Sequence, residues 1–470
     1  MAAVDGRSDT RGHTAEPAWL RGADVVVVGL GITNTAAARA LVARGHEVVI
    51  TDDGDPGPGT ALSAELGVAF HHAPDAARLQ DLVGSARLML PAPGLPESHS
   101  AFEAARAHSV DVVSEFDLAS AWDDRDVVAI TGTNGKTTVV TMVAAILAEA
   151  GIETAAVGNL EVPLVAAIDD PAPECFVVEA SSFRLGHSSH FSPRVGTWLN
   201  FAPDHLDVHS DLETYRDAKA SIWTRMGEGD TAVVAADDAV VSACAPSDGP
   251  RVWTFGIRDG ADFTQVDDDL VGPDGKHIVA VAELSRALPH DRSNALAAAA
   301  TALAAGADAG SVRRALAGFG GLPHRVQLVG ETGGVRYYDD SKATAPHATL
   351  AAASGFDRVV LVAGGRNKGL DLSALGGAET VVGVVAIGEA APEVIEAMAP
   401  RPSQIALSMR EAVAAASDMA RSGDVVLLSP GCASFDWYGG YAERGDDFAQ
   451  EVSRHMAASQ TVVVKEGEDG

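Results

Sequence analysis

The stretch AITGTNGKTT, at residues 129–138, decides how this chain of 470 residues folds. It begins in a short apolar run and leads into residues 139–150, whose apolar spacing predicts a helix. Glycines in such a loop let the backbone wrap a phosphate, and the N–H groups at the start of the helix point towards that phosphate. Lys136 would then place an ammonium on the terminal phosphates, and the Thr137 hydroxyl would bind Mg²⁺. The stretch therefore predicts a strand, a phosphate-binding loop and a helix.

One position departs from the standard form of this loop. The strict pattern places a glycine where this chain has Ile130, so the match is to a variant of the motif. A glycine-rich turn that merely joins a strand to a helix is the alternative interpretation.

The same alternation of strand and helix continues on both sides of the loop. Strands are predicted at residues 24–28, 47–51, 87–90, 127–130, 175–178, 195–200, 335–338, 358–363, 381–387 and 424–428, and helices at 35–44, 100–108, 139–150 and 294–305. The charged stretch 122–126 and the glycine-rich stretch 320–324 interrupt this pattern, which indicates linkers that act as hinges.

The fold class predicted from this pattern is α/β, in three consecutive α/β domains. The N-terminal domain is expected to be Rossmann-like, the central one P-loop ATPase-like and the C-terminal one Rossmann-like. The expected bounds are 1–21 for a disordered N-terminal segment, 22–125, 126–322 and 323–464 for the three domains, and 465–470 for an acidic tail.

The composition excludes several classes of function. Lys and Arg number 34 against 65 Asp and Glu, a net charge of −31, so the surface should repel nucleic acid and anionic membranes. No apolar window is long enough to span a bilayer, and the N-terminal residues lack the apolar core of a signal peptide. Cys175, Cys244 and Cys432 are widely spaced, which is typical of a reducing compartment and offers no disulfide framework. The sequence therefore predicts a cytoplasmic protein without nucleic-acid or membrane partners.

Lysine is scarce in this chain. Six of the 34 basic residues are lysines, and the other 28 are arginines. The six are Lys136, Lys219, Lys276, Lys342, Lys368 and Lys465. Arginine serves wherever a surface cation is sufficient, whereas a compact point charge or an amine that must lose its proton requires lysine. The lysines are therefore the first candidates for functional positions.

Three further positions carry chemistry but are ambiguous by themselves. Glu179 ends the apolar run FVVE where phosphate-bound Mg²⁺ would sit, although a solvated strand end would look the same. Residues 200–209, NFAPDHLDVH, include His205, and an ordinary acidic loop also explains them. Lys219 follows on a predicted helix, where a surface lysine is the alternative.

The loop TGTNGKTT resembles the nucleotide loop of the Mur ligases, a superfamily of ATP-dependent, amide-forming ligases that includes the folylpolyglutamate synthases. Four later motifs appear in order: LPHR at 322–325, DSKAT at 340–344, GGRNKG at 364–369 and SPGCASFD at 429–436. Together they resemble the D-glutamate-adding branch of this family, and the resemblance extends from about residue 23 to 460.

This resemblance implies a ligase that joins D-glutamate to UDP-N-acetylmuramoyl-L-alanine in peptidoglycan precursor synthesis. ATP would phosphorylate the alanyl carboxylate, and the glutamate amine would attack the resulting acyl phosphate. The resemblance also implies two Mg²⁺ ions and a CO₂-derived carbamate on Lys219. A monomer is expected.

The resemblance assigns residues to each part of the site. The catalytic residues are Lys136, Glu179, His205 and Lys219, and the metal ligands are Thr137, Glu179, His205 and the Lys219 carbamate. ATP is assigned to Gly132, Thr133, Asn134, Gly135, Lys136, Thr137, Thr138, Asn294, Arg325 and Asp340. The UDP-sugar is assigned to Gly31, Ile32, Thr33, Asp52 and Asn159, and D-glutamate to Lys342, Thr344, Lys368, Ser434, Phe435 and Tyr441.

The first domain leaves two interpretations open. Gly29, Gly31 and Asp52 form a partial dinucleotide fingerprint, with Asn34 in place of the third glycine, which would fit an NAD-dependent oxidoreductase. The same turn in Mur ligases receives the UDP of the sugar substrate. Two departures concern the uridine site, because Asp53-Gly54 and Ala92 stand where relatives often carry an arginine and a serine.

Two further classes of protein would share part of this pattern. A folylpolyglutamate synthase has the same ATP loop but would not explain a separate nucleotide-type domain ahead of it. An ATP-binding protein without catalysis would have lost Lys136, Glu179, His205 or Lys219, and this chain keeps all four.

Overall fold

The computed structural model describes residues 16–159, 161–206 and 208–468 of the chain. Residues 1–15, most of the predicted disordered segment, lie outside the described residues. Three large sheets follow one another along the chain, with helices between their strands, and this confirms the α/β class. Among the described residues, no helix is both long and apolar enough to cross a membrane.

The first sheet contains five parallel strands. They are β1 (Val25–Val28), β2 (Val48–Asp52), β3 (Ala69–His72), β4 (Leu88–Pro91) and β5 (Asp111–Val112). The helices are α1 (Ile32–Ala43), α2 (Pro56–Leu66), α3 (Ala76–Gly84), α4 (Ser100–His108) and α5 (Glu115–Trp122). The strand order β3-β2-β1-β4-β5 changes direction between β1 and β4. A crevice therefore opens at the carboxyl ends of these two strands, where ligands bind in open α/β sheets.

The second sheet contains six parallel strands. They are β6 (Asp126–Thr131), β7 (Thr154–Gly158), β8 (Cys175–Glu179), β9 (Val195–Trp198), β10 (Thr231–Ala235) and β11 (Arg251–Phe255). The helices among them are α6 (Lys136–Glu149), α7 (Leu164–Ala167), α8 (Ser182–Leu185), α9 (Leu212–Ala220) and α10 (Ala239–Ala243). The order β11-β10-β9-β6-β8-β7 reverses between β9 and β6. The glycine-rich loop after β6 is therefore at the switch point of this sheet.

A small antiparallel sheet and two helices complete the central part of the chain. The strands are β12 (Thr264–Val266), β13 (Asp269–Gly272) and β14 (Lys276–Ala280), and the helices are α11 (Pro289–Ala304) and α12 (Ala309–Gly318). Both helices pack against α6, so they cover the helix that follows the glycine-rich loop.

The third sheet also contains six strands. They are β15 (Gln327–Thr332), β16 (Val335–Asp339), β17 (Val359–Gly364), β18 (Val381–Ile387), β19 (Ser403–Ile405) and β20 (Val425–Leu428). The helices are α13 (Pro346–Ala353), α14 (Ala391–Met398), α15 (Met409–Met419) and α16 (Tyr441–Glu468). In the order β15-β16-β20-β17-β18-β19, β15 is antiparallel to β16 and the other pairs are parallel. The carboxyl ends of β16, β20 and β17 are therefore neighbours.

The apolar cores show how the three sheets are joined. One continuous cluster includes Val27 of the first sheet and Ile130 of the second, so these two sheets share a core. The third sheet has separate clusters on its two faces, around Leu361 and around Val362. The third sheet and its helices, the third unit, therefore have cores separate from the one that the first two sheets share.

Several boundaries differ from the sequence-based expectation. Residues 16–21 are ordered, because Leu20 is fully buried and the Glu16 carboxylate accepts a hydrogen bond from Trp122 Nε1 at 2.9 Å. Helix α11 begins at Pro289, five residues before the predicted start, since proline is tolerated at the first helical position. Helix α16 continues to Glu468, so the tail predicted from residue 465 begins inside this helix.

Candidate active site

The glycine-rich loop connects β6 directly to α6. Gly135 stands at the start of the helix with φ 82°, and a Cβ there would lie 2.8 Å from Asn294 Oδ1. The loop is held from the neighbouring strand by Asn200, whose Oδ1 accepts from Asn134 N at 2.8 Å and whose Nδ2 donates to Asn134 O at 3.2 Å. The loop is therefore fixed by a reciprocal amide pair and leaves no room for a side chain at Gly135.

Two lysines converge on one carbonyl of this loop. Lys136 Nζ donates to Gly132 O at 2.8 Å and to Thr133 O at 3.0 Å. Lys219 Nζ, from α9, donates to the same Gly132 O at 2.9 Å and lies 4.6 Å from the centre of the Tyr215 ring. The two scarce lysines singled out in the sequence are therefore brought together at the phosphate loop.

Lys219 is in an environment that favours a neutral amine. Its side chain is buried, with 1% of its surface exposed. Burial lowers the pKa of Lys219 well below its ordinary value, and repulsion from Lys136 lowers it further, while Asp204 acts in the opposite direction. Burial also lowers the pKa of Lys136, against the attraction of Glu179 and Asp204.

Glu179 lies at the carboxyl end of β8, paired with Ile130 of β6. The residue is buried, and its Oε1 accepts a hydrogen bond from Asn159 Nδ2 at 3.3 Å. The buried Oε2 has no hydrogen-bond partner among the described residues. An unpaired buried carboxylate oxygen beside a phosphate loop is suited to a divalent cation.

The remaining metal assignment concerns the segment around His205. The backbone of His205 is left-handed, with φ 56°, and its Nε2 lies 3.5 Å from Asp204 Oδ2. Its ring packs edge-on against Phe183, with centroids 4.8 Å apart. In the part of the chain that the structure describes, no three or more His, Cys, Asp or Glu side chains form a metal cluster. Mg²⁺ needs only one or two carboxylates when water and substrate phosphates complete its shell, so these residues fit Mg²⁺ bound together with a nucleotide.

A cavity beside the loop collects residues from the central and third units. Its lining includes six residues assigned to ATP: Asn134, Gly135, Thr138, Asn294, Arg325 and Asp340. It also includes Arg286, His290 and Lys342, of which the first two were not predicted and the last was assigned to D-glutamate. The structure thus brings residues from the separate motifs assigned to ATP to one place, and it places Lys342 there with them.

Two contacts connect the third unit to the phosphate loop. Arg325 Nη2 donates to Thr137 Oγ1 at 3.1 Å, and His347 Nε2 lies 3.1 Å from Asn134 Oδ1. Asp340 is buried nearby, where its carboxylate accepts from Ser429 Oγ at 2.8 Å. Burial raises the pKa of Asp340 to about 7.

The turn after β1 forms a second cavity, lined in part by Gly29, Leu30 and Asp52. Gly31 is the N-cap of α1 and provides no side-chain cap, and Ile32, the first residue of the helix, is 73% exposed. Asp52 closes the turn, because its two carboxylate oxygens accept from Leu30 N and Gly54 N. The turn therefore presents helical N–H groups, the feature that binds phosphate.

The other two residues assigned to the UDP-sugar, Thr33 and Asn159, both contact Arg184 on α8. The buried hydroxyl of Thr33 accepts a hydrogen bond from Arg184 Nη2 at 2.8 Å. Asn159 Oδ1 accepts from Arg184 Nη1 at 3.0 Å. Arg184 was not predicted, because a single arginine in the motif SSFRL gives no signal of its own.

The residues assigned to D-glutamate lie at the carboxyl edge of the third sheet. Backbone pairing of Arg366 with Ala433, at 2.9 and 3.0 Å, joins the GGRNKG and SPGCASFD motifs. Lys368 is exposed, Phe435 is 62% exposed and Ser434 is buried. Thr344 is half-buried.

Tyr441 connects this edge to the cavity beside the glycine-rich loop. Its ring centre lies 5.1 Å from Lys342 Nζ. Its carbonyl accepts from Ser341 Oγ at 2.7 Å, and Ser341 in turn accepts from Arg444 Nε at 2.9 Å. Arg444 is fully buried and was not predicted, because helix α16 reads in the sequence as an ordinary charged helix.

Comparison with known proteins follows the same division of the chain. The family model for the Mur ligase middle domain matches residues 130–302, and the model for the Mur ligase glutamate ligase domain matches residues 324–432. A protein of Frankia casuarinae named UDP-N-acetylmuramoylalanine--D-glutamate ligase is 39% identical over 454 residues, 93% of this chain and 95% of that one. Its namesake from Pelotomaculum thermopropionicum is 36% identical and covers 91% of this chain and 97% of that one.

Solved structures support the fold alone. A pseudomurein peptide ligase type C from Methanothermus fervidus superposes with a TM-score of 0.56 at 18% identity, covering 87% of this chain and 97% of that one. The UDP-N-acetylmuramate-alanine ligase MurC from Thermotoga maritima has a TM-score of 0.55 at 19% identity, covering 93% and 100%. With both family models matched and relatives at this identity over nearly the whole length, the chain belongs to the Mur ligase family, in the branch of the UDP-N-acetylmuramoylalanine D-glutamate ligases.

Proposed function

We propose that this protein joins D-glutamate to UDP-N-acetylmuramoyl-L-alanine with hydrolysis of ATP to ADP and phosphate, as a step in peptidoglycan precursor synthesis. The observation that carries the proposal is the meeting of Lys136, Lys219 and the third-unit Arg325 at one phosphate loop. The names of the curated relatives, at 39% and 36% identity, specify the amino acid and the sugar nucleotide. These comparisons favour neither an oxidoreductase nor a folylpolyglutamate synthase.

The reaction requires transfer of a phosphoryl group from ATP to a carboxylate, and these two anions repel each other. ATP converts the alanyl carboxylate into an acyl phosphate, and the amine of D-glutamate then displaces phosphate to form the amide. Lys136 and Arg325 carry the positive charges that would offset this repulsion. Bound Mg²⁺ would add charge neutralisation on the phosphates, with Thr137, Glu179 and His205 as the residues that hold it. The chain therefore acts mainly by positioning and electrostatics.

Lys219 is proposed to carry a carbamate. Its neutral amine would attack CO₂, which forms an N–C bond and releases one proton, and leaves a carbamate anion in place of the neutral amine. The lowered pKa of Lys219 supports this step, because only the unprotonated amine reacts. The neighbouring Lys136 would stabilise the product charge, and the carbamate would serve as a further ligand for a second Mg²⁺ ion.

The remaining assignments divide the substrates among the three sheets, which we take as the cores of three domains. The turn after β1 would hold the UDP of the sugar nucleotide through the open N-terminus of α1. The edge of the third sheet, with Lys368, Ser434, Phe435 and Tyr441, would hold D-glutamate. A monomer in the cytoplasm is the expected form of the protein.

Phosphate release by the purified protein tests the proposal. The assay contains ATP, Mg²⁺, UDP-N-acetylmuramoyl-L-alanine and one of D-glutamate, L-glutamate, L-alanine or diaminopimelate. Release that depends on both the sugar nucleotide and D-glutamate is the expected result. Equal release with every amino acid would contradict the substrate assignment, and no release with any would contradict the ligase reaction.

A further inference from the structure

Arg184, on the short helix α8, connects the first sheet to the central site. The residue is buried, with 6% of its surface exposed. Its Nη2 donates to Thr33 Oγ1 at 2.8 Å, its Nη1 donates to Asn159 Oδ1 at 3.0 Å, and its Nε lies 3.1 Å from Glu115 Oε1. The two Nη contacts are hydrogen bonds, whereas the Nε contact is an ion pair without hydrogen-bond geometry. The three partners come from three different segments of the chain.

The nearest carboxylate to the Arg184 guanidinium comes from the first sheet. Glu115 is buried at the start of α5, and its other oxygen accepts from Val165 N at 2.9 Å. Burial lowers the pKa of Arg184, whereas the charges of Glu115 and, through space only, of the more distant Glu179 raise it. Among the described residues Glu179 forms no ion pair of its own, so its carboxylate is open to a cation.

The contact with Asn159 fixes which way its amide faces. A guanidinium has donors and no acceptor, so Asn159 must present its oxygen to Arg184. The NH₂ group is then turned the other way, and it donates to Glu179 Oε1 at 3.3 Å. With Oε1 held in this way, the unpartnered Oε2 is the oxygen left for a ligand.

The backbone holds Asn159 in the same place. Asn159 N donates to the carbonyl of Glu179 at 2.9 Å. The preceding Gly158 has φ 99°, and a Cβ there would lie 2.6 Å from that same carbonyl oxygen. Asn159 is thus tied to Glu179 by its main chain and its side chain together.

At the other end of the chain of hydrogen bonds, Thr33 belongs to the first turn of α1. Its oxygen accepts from Arg184, so its hydroxyl hydrogen points away from the guanidinium. The neighbouring N–H groups of α1 are those proposed to hold the diphosphate of the sugar nucleotide. Hydrogen bonds join Thr33 to Arg184, Arg184 to Asn159, and Asn159 to Glu179. A ligand bound at the start of α1 would therefore lie beside Thr33, the first residue of this series.

We propose that Arg184 is a positioning residue that couples the sugar-nucleotide turn to the orientation of the Glu179 carboxylate. The proposal rests on the function proposed above, because it takes that turn as the sugar-nucleotide site and Glu179 as a metal ligand. Coupling between two sites is reciprocal, so the sugar nucleotide should tighten divalent-cation binding by the same factor as the cation tightens sugar-nucleotide binding.

Binding measurements on the whole protein test this coupling. Mn²⁺ is followed by electron paramagnetic resonance in the presence of a non-hydrolysable ATP analogue, with and without UDP-N-acetylmuramoyl-L-alanine. In the parent protein, the sugar nucleotide is expected to tighten Mn²⁺ binding by about fivefold or more. In Arg184→Met this factor should fall to about one, and Arg184→Lys should restore part of it, because an ammonium keeps the charge but not the fork of donors.

Two further variants separate coupling from damage to the fold. Thr33→Val interrupts the same series of hydrogen bonds but leaves the buried pair of Arg184 and Glu115 in place, so it should also lose the coupling. Arg39→Met removes an exposed arginine of the same helix α1, which pairs with Glu65, and should keep the full factor.

The outcomes distinguish the two proposals. An unchanged coupling factor in both Arg184→Met and Thr33→Val, or no coupling in an active parent protein, would overturn the role of Arg184 and leave the ligase function standing. A parent protein that neither binds the sugar nucleotide nor releases phosphate would overturn both.

Discussion

At the scale of single residues, the site depends on where charges are buried. Lys219 and Asp340 are both removed from solvent. Burial lowers the pKa of Lys219 and raises the pKa of Asp340, so each side chain is shifted towards its neutral form. For Lys219 this favours reaction with CO₂, and for Asp340 it leaves a carboxyl group that titrates near neutral pH. The two shifts lead to separate predictions.

Replacement of Lys219 should abolish most of the activity and should be partly reversible by added carboxylates. Lys219→Ala is expected to lower kcat by about 10²- to 10³-fold, the effect of removing one charged group from a preorganised site. Acetate or propionate should restore part of this rate by occupying the position of the carbamate. Lys219→Arg should stay inactive, because a guanidinium forms no carbamate.

The control for these variants is Lys276→Ala, which removes an exposed lysine at the start of β14. It should have the kcat of the parent protein. An Arg variant at position 219 as active as the parent would rule out the carbamate.

Replacement of Asp340 should change how stability depends on pH. The pKa of Asp340 is about 7 in the folded chain and near 3.9 when unfolded, so between these values the folded chain holds a proton that the unfolded chain has lost. This contribution to stability is lost as the pH rises through 7, and above it the buried charge costs stability.

Asp340→Asn should therefore have the same melting temperature as the parent at pH 5 and a higher one at pH 8. At pH 8 its unfolding free energy should be larger than that of the parent by about 1 to 3 kcal/mol. Calorimetry across this pH range measures the difference. Asp418→Asn, an exposed position on α15, should show no such trend. A variant that is less stable than the parent at pH 8 would contradict the assignment.

Residue chemistry was predictable from the sequence where the residue type is rare or unusually placed. Lys136 and Lys219 stood out in a chain with few lysines, and the structure brings both to the carbonyl of Gly132. Arg184 and Arg444 could not be found in this way, because the chain has 28 arginines and burial is not visible in any one of them.

At the scale of elements, the strand–loop–helix unit around residues 129–138 is proposed to set the position of the nucleotide. Its loop is narrow because Gly135 faces Asn294 of α11, which closes over it. Gly135→Ala should therefore raise the KM for ATP by at least about tenfold, since a left-handed backbone and a 2.8 Å contact both oppose the new methyl group.

The comparison variant is Gly318→Ala, at the end of α12, where an added Cβ would meet nothing within 4 Å. Steady-state kinetics with ATP as the varied substrate should leave this control unchanged. An unchanged KM for ATP in Gly135→Ala would show that the nucleotide does not bind against this loop.

Most of the parallel strands were predicted, although β3, β5, β7, β10, β11 and β19 were not. Val25–Val28 and Val425–Leu428 are buried on both faces, so each reads in the sequence as a continuous apolar run. Strands β12 and β13 were missed, because Thr264–Val266 and Asp269–Gly272 are short and lie among aspartates and glycines. The start of α11 was missed for a related reason, since Pro289 was not recognised as a first helical residue.

At the scale of the whole molecule, the third unit is joined to the phosphate loop largely by polar contacts. The first two sheets share one core, and the linker between them is anchored, because Arg125 donates to the carbonyls of Ile168, Asp170 and Pro173. The stretch expected to act as a hinge at 122–126 is thus held in place, and we expect movement at 320–324 instead.

The contact between His347 and Asn134 should therefore matter for turnover rather than for folding. His347→Ala is expected to lower kcat by about tenfold and to leave the melting temperature near that of the parent, since it removes one hydrogen bond between units. Small-angle X-ray scattering with the ATP analogue should show a larger radius of gyration for this variant.

The matched control is His108→Ala, an exposed histidine at the end of α4. It should keep both the parent kcat and the parent radius of gyration. If His347→Ala scatters like the parent and turns over at the same rate, this contact does not hold the third unit closed.

Amine-reactive reagents should distinguish the lysines of this protein sharply. Lys136 and Lys219 are hydrogen-bonded to loop carbonyls, and Lys219 is buried, so a reagent in solution does not reach it. Lys276 and Lys368 have exposed side chains, so both should acylate readily. D-glutamate should protect Lys368 from acylation, and Lys276 in the same digest serves as the internal reference. Because the chain has few lysines, such protection would map the amino-acid site directly.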